Sequence, residues 1–560
     1  MNAFMEPKLD GTTGMFDVIV AGAGPAGMTL ALDLGRRGVR VLLVERNEQP
    51  GPWPKMERTN ARSMEIYRRL GLADAIRAVG YTPETSMDVF TAIDLATPIA
   101  RLQYPTVAEQ RAWIAETCDG SAPLEPYQLV SQYALEPALK AAVDAEPNVC
   151  VRFGHELTRF EQGADGVTVH ARRGDGTGCV FGARYLAGCD GGASRVRKAL
   201  GIRLEGRGDI KRMSQVQFRS GTLYDRIQIG KGRHYYLADG AIVVVQGNRT
   251  DFTLHTDLSA DTDFEPVIRR YIPVDFDCEV LRVNEWTLHL LVAEHYRKGR
   301  VFLAGDAVHR VIPTGGLGMN TAVGDAIDLG WKLAAAVHGW GGPRMLDSYE
   351  IERRAVGLFN RQASGWASEG PVQWRAAVTP NMLGHDTAGA RARSSRRSRR
   401  RSSAACTTCW ARRWVTTTQV RRSSRPSPER RPNGNSRATC PPRNRARGCR
   451  TSGWLAGAPS STSWAADTPC CVSRARRTRP ACRARSKPWV RRCRSSSSRI
   501  PALPPSTKRL LLLRPDLHVA WRGSRLPLDL AALARQVTGH DLLPQLDPRN
   551  EASEEHAVAS

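Results

Sequence analysis

The chain has 560 residues and a formal net charge of +26, long enough for about two to four domains. Between Arg391 and Ile500 stand 29 Arg and one Lys against Glu429 and Asp467, so the remainder is close to neutral and the basicity is not evidence of a polyanionic partner for the whole molecule. No apolar run approaches the roughly 20 residues a bilayer demands, and the first residues lack an apolar leader segment, so a cytoplasmic protein without membrane contact is expected.

Residues 1–15 read as a flexible start. From Phe16 the stretch "FDVIVAGAGPAGMTLALDLGRRGVRVLLVER" predicts a strand, a helix and a second strand. Gly22, Gly24 and Gly27 occupy the first strand-to-helix turn. Gly22 permits the tight turn, Gly24 lets backbone approach a pyrophosphate, and Gly27 lets helix pack on strand. Glu45 closes the second strand about 20 residues on, where a carboxylate accepts from ribose hydroxyls. The neighbouring Arg46 joins it as a candidate contact.

Two later motifs follow. "YLAGCDGGASRVRKALGI" predicts a strand leading to Asp190 and Gly191, then a helix opening near Ser194. "RVFLAGDAVHRVIPTGGLGMNTAVGDAIDLGWKLAAAV" predicts a buried strand ending at Gly305-Asp306, a glycine-rich loop and a long helix. A carboxylate at a strand end suits a ribose or ribityl hydroxyl, and a glycine loop at a helix start offers N–H groups to an anionic oxygen. His309 is read as a surface or structural histidine beside the loop, with a proton carrier as the alternative. Cys189 reads as a small core residue.

The three motifs, in this order, resemble the FAD-dependent aromatic hydroxylases, the group A flavoprotein monooxygenases, over roughly Phe16 to Ala367. The resemblance implies that Gly22, Gly24, Gly27, Glu45 and Arg46 hold the ADP half of FAD, and that Asp190 and Gly191 touch both FAD and NAD(P)H. Gly305 and Asp306 would hold the ribityl chain. Pro313, Gly315, Gly316, Leu317, Gly318, Met319 and Asn320 would form the loop beside the flavin pyrimidine. "NARSMEIYRRLGL" and "SQYALEPALKAAV" resemble family helices, which makes Arg62 and Gln132 candidate cofactor contacts; an ion pair for Arg62 and a helix cap for Gln132 are the alternatives.

The fold class so implied is α/β: a Rossmann-type FAD-binding domain (16–202 and 295–385) interleaved with a mainly antiparallel β-sheet substrate domain (203–294), with part of the substrate region near 85–125. The activity implied is hydroxylation of an aromatic, phenolic substrate by O2 through a C4a-hydroperoxyflavin, with NADPH or NADH as a transient co-substrate. No protein nucleophile and no metal is required, so no catalytic residue and no metal ligand is named. Tyr235 and Tyr236 either line the substrate side or pack the core. Phenol-type members carry an aspartate before the Arg-bearing helix; here "GPWPKMERTNAR" has Glu57 and no Asp, which argues against a phenol-specific base. A Baeyer–Villiger or epoxidising polyketide oxygenase is the alternative on the same fold. A basic nucleic-acid-binding protein would rest wholly on the Arg-rich window, and no nucleic-acid partner is expected. Oligomeric state has no signature in the sequence.

That window, with five Trp and eight Cys but no Phe, Tyr or Met, cannot assemble a packed core. The family often carries a C-terminal thioredoxin-like domain, and "LLLLRPDLHVAWRG" at Leu510–Gly523 resembles its closing strand. Back-translating "CRTSGW" (Cys449–Trp454) and skipping two bases gives Pro-His-Val-Trp-Leu; "WAADTPCC" (Trp464–Cys471) gives Gly-Arg-Gly-Tyr-Thr-Leu-Leu by the same shift. Both match the family's pattern. Residues 390–507 are therefore expected to be a frame-shifted, disordered readout bounded by compensating indels. On that reading 508–545 is a remnant of the thioredoxin-like domain without partner strands, 546–560 is a tail, and Cys406 and Cys409 are accidental neighbours.

Overall fold

The computed structural model describes residues 15–55, 57–117, 121–247, 249–376, 470–473, 510–516, 518–523 and 529–540. The frame-shift expectation, and with it Cys406 and Cys409, falls almost entirely outside these residues.

Strand β1 (Phe16–Ala21) is buried at every position, as its apolar run demands. It lies at the centre of a parallel sheet between Gly178–Gly188 and β2 (Val41–Val44). Val301–Leu303 continues the sheet on one side and Val149–Arg152 on the other. Helix α1 (Pro25–Arg36) packs between this sheet and the long helix Gly318–Val337; ten of its twelve residues are buried. Gly38, at φ +77°, ends α1 and turns the chain into β2.

The second sheet has eight strands, in the order 309–310, 279–293, 204–219, 251–256, 242–245, 234–237, 89–92 and 98–102. Its pairings are antiparallel except that of His234–Leu237 with Val89–Ala92. The alternation expected for 203–294 is present, and the region near 85–125 contributes the last two strands at one edge. One face of this sheet is a core of Val216, Phe218, Tyr235, Val243, Phe252 and Leu254.

The C-terminal residues depart from expectation. Leu510–Leu513 and Val519–Gly523 are two strands of a hairpin, not one closing strand, and Cys470–Ser473 pairs with the first of them. The cause is local turn chemistry: Pro515-Asp516 breaks the run, Asp516 Oδ1 accepts the His518 amide at 3.1 Å, and the Arg514 amide donates to the His518 carbonyl at 2.9 Å. This segment therefore has partner strands.

Candidate cofactor site and substrate face

Parallel register brings the three sequence motifs together. Ala21 stands beside Gly188, and Gly188 beside Leu303. The residues that leave these strands, Gly22, Asp190 and Gly305-Asp306, thus emerge side by side at the carboxyl edge of the sheet, where open α/β folds bind ligands.

The glycines divide by cause. Gly22 has φ +102°, and a Cβ there would lie 2.4 Å from the Cys189 carbonyl oxygen; one on Gly27 would lie 1.9 Å from that of Gly22. The chain's own packing fixes both. A Cβ on Gly24 would meet nothing within 4 Å, so this glycine opens onto free space. Gly24 is also the N-cap of α1, with Pro25 at the first helical position and no side-chain cap. The unpaired N–H groups and the helix dipole make that opening fit a pyrophosphate. Glu45 sits against the same turn: its Oε2 accepts the Ala23 amide at 2.8 Å and its Oε1 holds Asn47. Arg46 beside it is exposed.

Asp190 uses one oxygen to cap the short helix Arg195–Ala199, accepting from Arg195 N at 2.7 Å and Val196 N at 3.1 Å. Its other oxygen, Oδ1, is buried with no partner. An unpaired buried acceptor costs about 1–3 kcal/mol, so this oxygen fits a bound hydroxyl or N–H. Gly191, at φ +80°, makes the turn beneath it.

Gly305 is pinched between two helices, where a Cβ would lie 3.2 Å from both Ala26 and Ala322. Its amide donates to Asp325 Oδ2 at 3.2 Å, and that oxygen also meets His309 Nε2 at 2.8 Å. Arg353 Nε reaches Asp325 Oδ1 at 2.7 Å. Burial alone would raise the Asp325 carboxyl, but Arg353 and then His309 outweigh it and hold it below its ordinary value. His309 is thus buried against Asp325 and is not a surface residue. Asp306, the next residue, is exposed, with no hydrogen bond from its side chain among the described residues.

The glycine loop closes the site. Gly316 N bonds the Pro313 carbonyl at 2.9 Å, and Gly315 and Gly316 have φ +106° and +62°. The helix Gly318–Val337 begins here with no side-chain cap. Asn320 latches the loop: its Oδ1 accepts Asn60 N at 2.9 Å and Ser63 Oγ at 2.7 Å, and its Nδ2 donates to the Arg58 and Gly316 carbonyls at 2.9 and 2.7 Å. Met319 packs on the core. Arg62 and Gln132 have partners within the chain. Arg62, on helix α2 (Ala61–Arg69), pairs with Glu65 at 3.3 Å and donates to the Asp516 carbonyl at 2.8 Å. Gln132 donates to Glu136 at 2.6 Å, and Glu136, its carboxyl raised by burial, accepts the Gly51 amide at 3.2 Å.

The second sheet joins this edge through its end strand His309–Arg310, where Arg310 lies against Gly192. Alternation puts Gln215, Gln217, His234, Tyr236, His255 and Trp286 on the face opposite its apolar core. Tyr235 and Tyr236 therefore cannot share a role. Tyr235 is fully buried, stacked on Phe90 at 5.4 Å; Tyr236 lies on the polar face. Against this face stand Trp53 and Pro54, with the Pro54 carbonyl 3.1 Å from Gln215 Nε2 and Arg282 over the Trp53 ring at 5.4 Å. Trp286 Nε1 and Gln217 Oε1 are buried without partners. Burial pushes His255 down to about 4, so its imidazole is neutral at pH 7.

Sequence reasoning missed the group beside this face. Arg233, 1 % exposed, donates to Glu57 at 2.9 Å and to the Tyr81 hydroxyl at 2.6 Å. Tyr81 bonds Ser131 Oγ at 2.7 Å, and Ser131 donates to Gln246 at 3.0 Å. His234 lies 3.5 Å from Glu57. Glu57 and Arg233 are 176 positions apart, and only the fold joins them. Asp325 carried a weak signal, one of two carboxylates, with Asp328, in a largely apolar helix. Among the described residues no cluster of three or more His, Cys, Asp or Glu suits a metal, and no helix is long and apolar enough to cross a membrane.

Comparison with known proteins agrees with this geometry. Residues 15–363 match the model of an FAD binding domain. The chain is 38% identical to an FAD-dependent monooxygenase, apdD, of Emericella nidulans over 62% of this chain and 60% of the relative. It is 38% identical to a putative polyketide hydroxylase of Streptomyces halstedii over 64% of this chain and 65% of the relative. It therefore spans less than two thirds of either relative's length. Aklavinone 12-hydroxylase DnrF of Streptomyces peucetius is 35% identical over 61% of this chain and 72% of its own. Among solved structures, the rebeccamycin biosynthetic enzyme RebC with reduced flavin superposes with a TM-score of 0.77 at 28% identity, covering 94% of this chain and 99% of that one. Aklavinone-11 hydroxylase with FAD and aklavinone superposes with a TM-score of 0.58 at 31% identity, over 63% and 69%. With the glycine turn open at Gly24, the unpaired Asp190 oxygen and this match over most of its length, the chain belongs to the FAD-binding-domain family.

Proposed function

We propose that the protein is an FAD-dependent monooxygenase that uses NADPH or NADH and O2 to hydroxylate an aromatic, phenolic ring, and that its substrate is a fused polycyclic one. The observation that carries this reading is the convergence of Gly22, Asp190 and Gly305-Asp306 at one sheet edge. The second sheet, which joins that edge at His309–Arg310, carries His234, Tyr236, His255 and Trp286 on its polar face. Relatives named for polyketide and aklavinone hydroxylation support the polycyclic class.

Bound FAD would relay two electrons from NADPH or NADH to O2, one of whose oxygen atoms enters the ring while the other leaves as water. The chain's residues bind and orient. The α1 N-terminus would hold the pyrophosphate, Glu45 the ribose, and Asp190 Oδ1 and Asp306 the hydroxyls of the connecting chain. The uncapped start of the Gly318 helix would stabilise negative charge on the ring system. The aromatic face orients a planar substrate and excludes water. Neutral His255 and the unpaired Trp286 N–H and Gln217 carbonyl offer directional contacts to its oxygen substituents.

The purified chain should carry FAD, seen in its visible spectrum. NADPH or NADH oxidation should then rise when polycyclic phenolic ketones are added, with a product heavier by one oxygen atom. A flavin-free chain, or one whose oxidation no aromatic compound stimulates, overturns the reading.

A further inference from the structure

The hairpin turn Arg514–His518 seats on the flavin-binding body through buried charges. Arg514 reaches both oxygens of Glu352 at 2.6 Å, Asp328 at 2.9 Å and Asp516 at 2.5 Å, and lies over the Trp331 ring at 5.3 Å. Lys332, fully buried, reaches the same Asp328 at 2.8 Å and Glu352 at 3.2 Å. Without Arg514 that pocket would hold two carboxylates against one ammonium. The C-terminal segment supplies the missing cation, and its planar guanidinium spans the pocket, with Nη1 on Glu352 and Nη2 on Asp328.

The same turn grips α2 at both ends. Arg62 in the first turn of α2 donates to the Asp516 carbonyl at 2.8 Å, and Arg69, its last residue, donates to the Pro515 carbonyl. Seven positions apart, the two arginines lie on one side of the helix. At its start, Asn60 caps α2 by accepting the Ser63 amide at 2.8 Å, and Asn60 N and Ser63 Oγ both bond Asn320. Asn320 in turn donates to the Gly316 carbonyl. Only α2 and one asparagine separate the C-terminal turn from the glycine loop.

We propose that the Arg514–Asp516 turn is a positioning element for the FAD site: seated in the Asp328/Lys332/Glu352 pocket, it holds α2 and so fixes the Gly315–Asn320 loop in its cofactor-binding form. The inference rests on the FAD reading of that loop. It gives the residues beyond 509 a role in cofactor affinity, although none of them lies in the three motifs.

Hydrogen exchange and FAD titration on the full chain test it. Arg514→Ala should speed amide exchange over residues 60–69 and 313–320 and weaken FAD binding about tenfold, a typical size for coupling between sites. Arg514→Lys, which keeps the charge and loses the fork, should fall between, and it carries the comparison if the alanine variant does not fold. Faster exchange confined to 510–540, with FAD affinity unchanged in both variants, overturns the proposal. A wild-type chain that binds no FAD overturns the flavin reading itself, so the two failures are told apart.

Discussion

The amide of Gly305 is held by a carboxylate twenty residues ahead of it, Asp325, at 3.2 Å. Through this bond a buried ion group of Asp325, Arg353 and His309 fixes the strand end from which Asp306 projects. Asp325→Asn keeps the shape and removes the charge, leaving Arg353 buried without its anion. We expect a loss of about 3–5 kcal/mol of stability, read as a lower urea midpoint, and weaker FAD binding in fluorescence titration.

The same carboxylate sets an acid limit. Its folded-state pKa lies below the ordinary 3.8 because Arg353 and His309 overcome the effect of burial. A depressed pKa gives stability that is complete above the unfolded value and is lost as pH falls through the folded one. The stability gap between wild type and Asp325→Asn should therefore narrow as pH drops below about 4. Urea titrations at a series of acid pH values check this; a gap that stays level would show that Asp325 is not the titrating group.

Two glycines of one motif should fail differently. Gly22→Ala places a Cβ on the Cys189 carbonyl at a positive φ, so both folding and FAD binding should suffer. Gly24→Ala has φ −72° and open space, so stability should stay within about 0.5 kcal/mol while FAD affinity falls. Parallel thermal melts and FAD titrations separate the two; equal destabilisation would contradict the open cradle at Gly24.

At the substrate face, Glu57→Gln leaves Arg233, 1 % exposed, without its carboxylate. Substrate KM should rise several-fold with FAD affinity unchanged. Steady-state kinetics beside a flavin titration read the split, and a parallel loss of FAD would place Glu57 with the cofactor.

The coding DNA carries its own prediction. Resequencing across codons 390 to 507 should reveal two compensating indels, after which the reading frame yields an ordinary hydrophobic domain sequence. A clean read in the printed frame ends that explanation of the Arg-rich window.

What was legible in the sequence was what a short stretch encodes by itself. The Gly22-Gly24-Gly27 turn, the strand ends at Asp190 and Asp306, and the loop before Asn320 are local, and each stands where its pattern required. Contacts between distant positions left no such trace: Asn320 with Asn60 across 260 residues, Arg233 with Glu57 across 176, Arg62 with Asp516 across 454. Tyr235 and Tyr236 mark the boundary. Alternation separates them at once, but which of the two faces the core depends on the register of strands that the local pattern does not name. The Pro-Asp turn at 515–516 stands in the letters, but the resemblance of Leu510–Gly523 to one closing strand passes over it.

The parallel order of the central sheet has a consequence for biosynthesis. Its strand Val301–Leu303, and the Gly318 helix that follows, leave the ribosome long after the glycine turn at Gly22 has been made. A nascent chain therefore carries half a cradle through more than half of its synthesis. The cradle is complete only once the Gly318 helix has been made, so the first βαβ unit leaves the ribosome with its own part of the site alone.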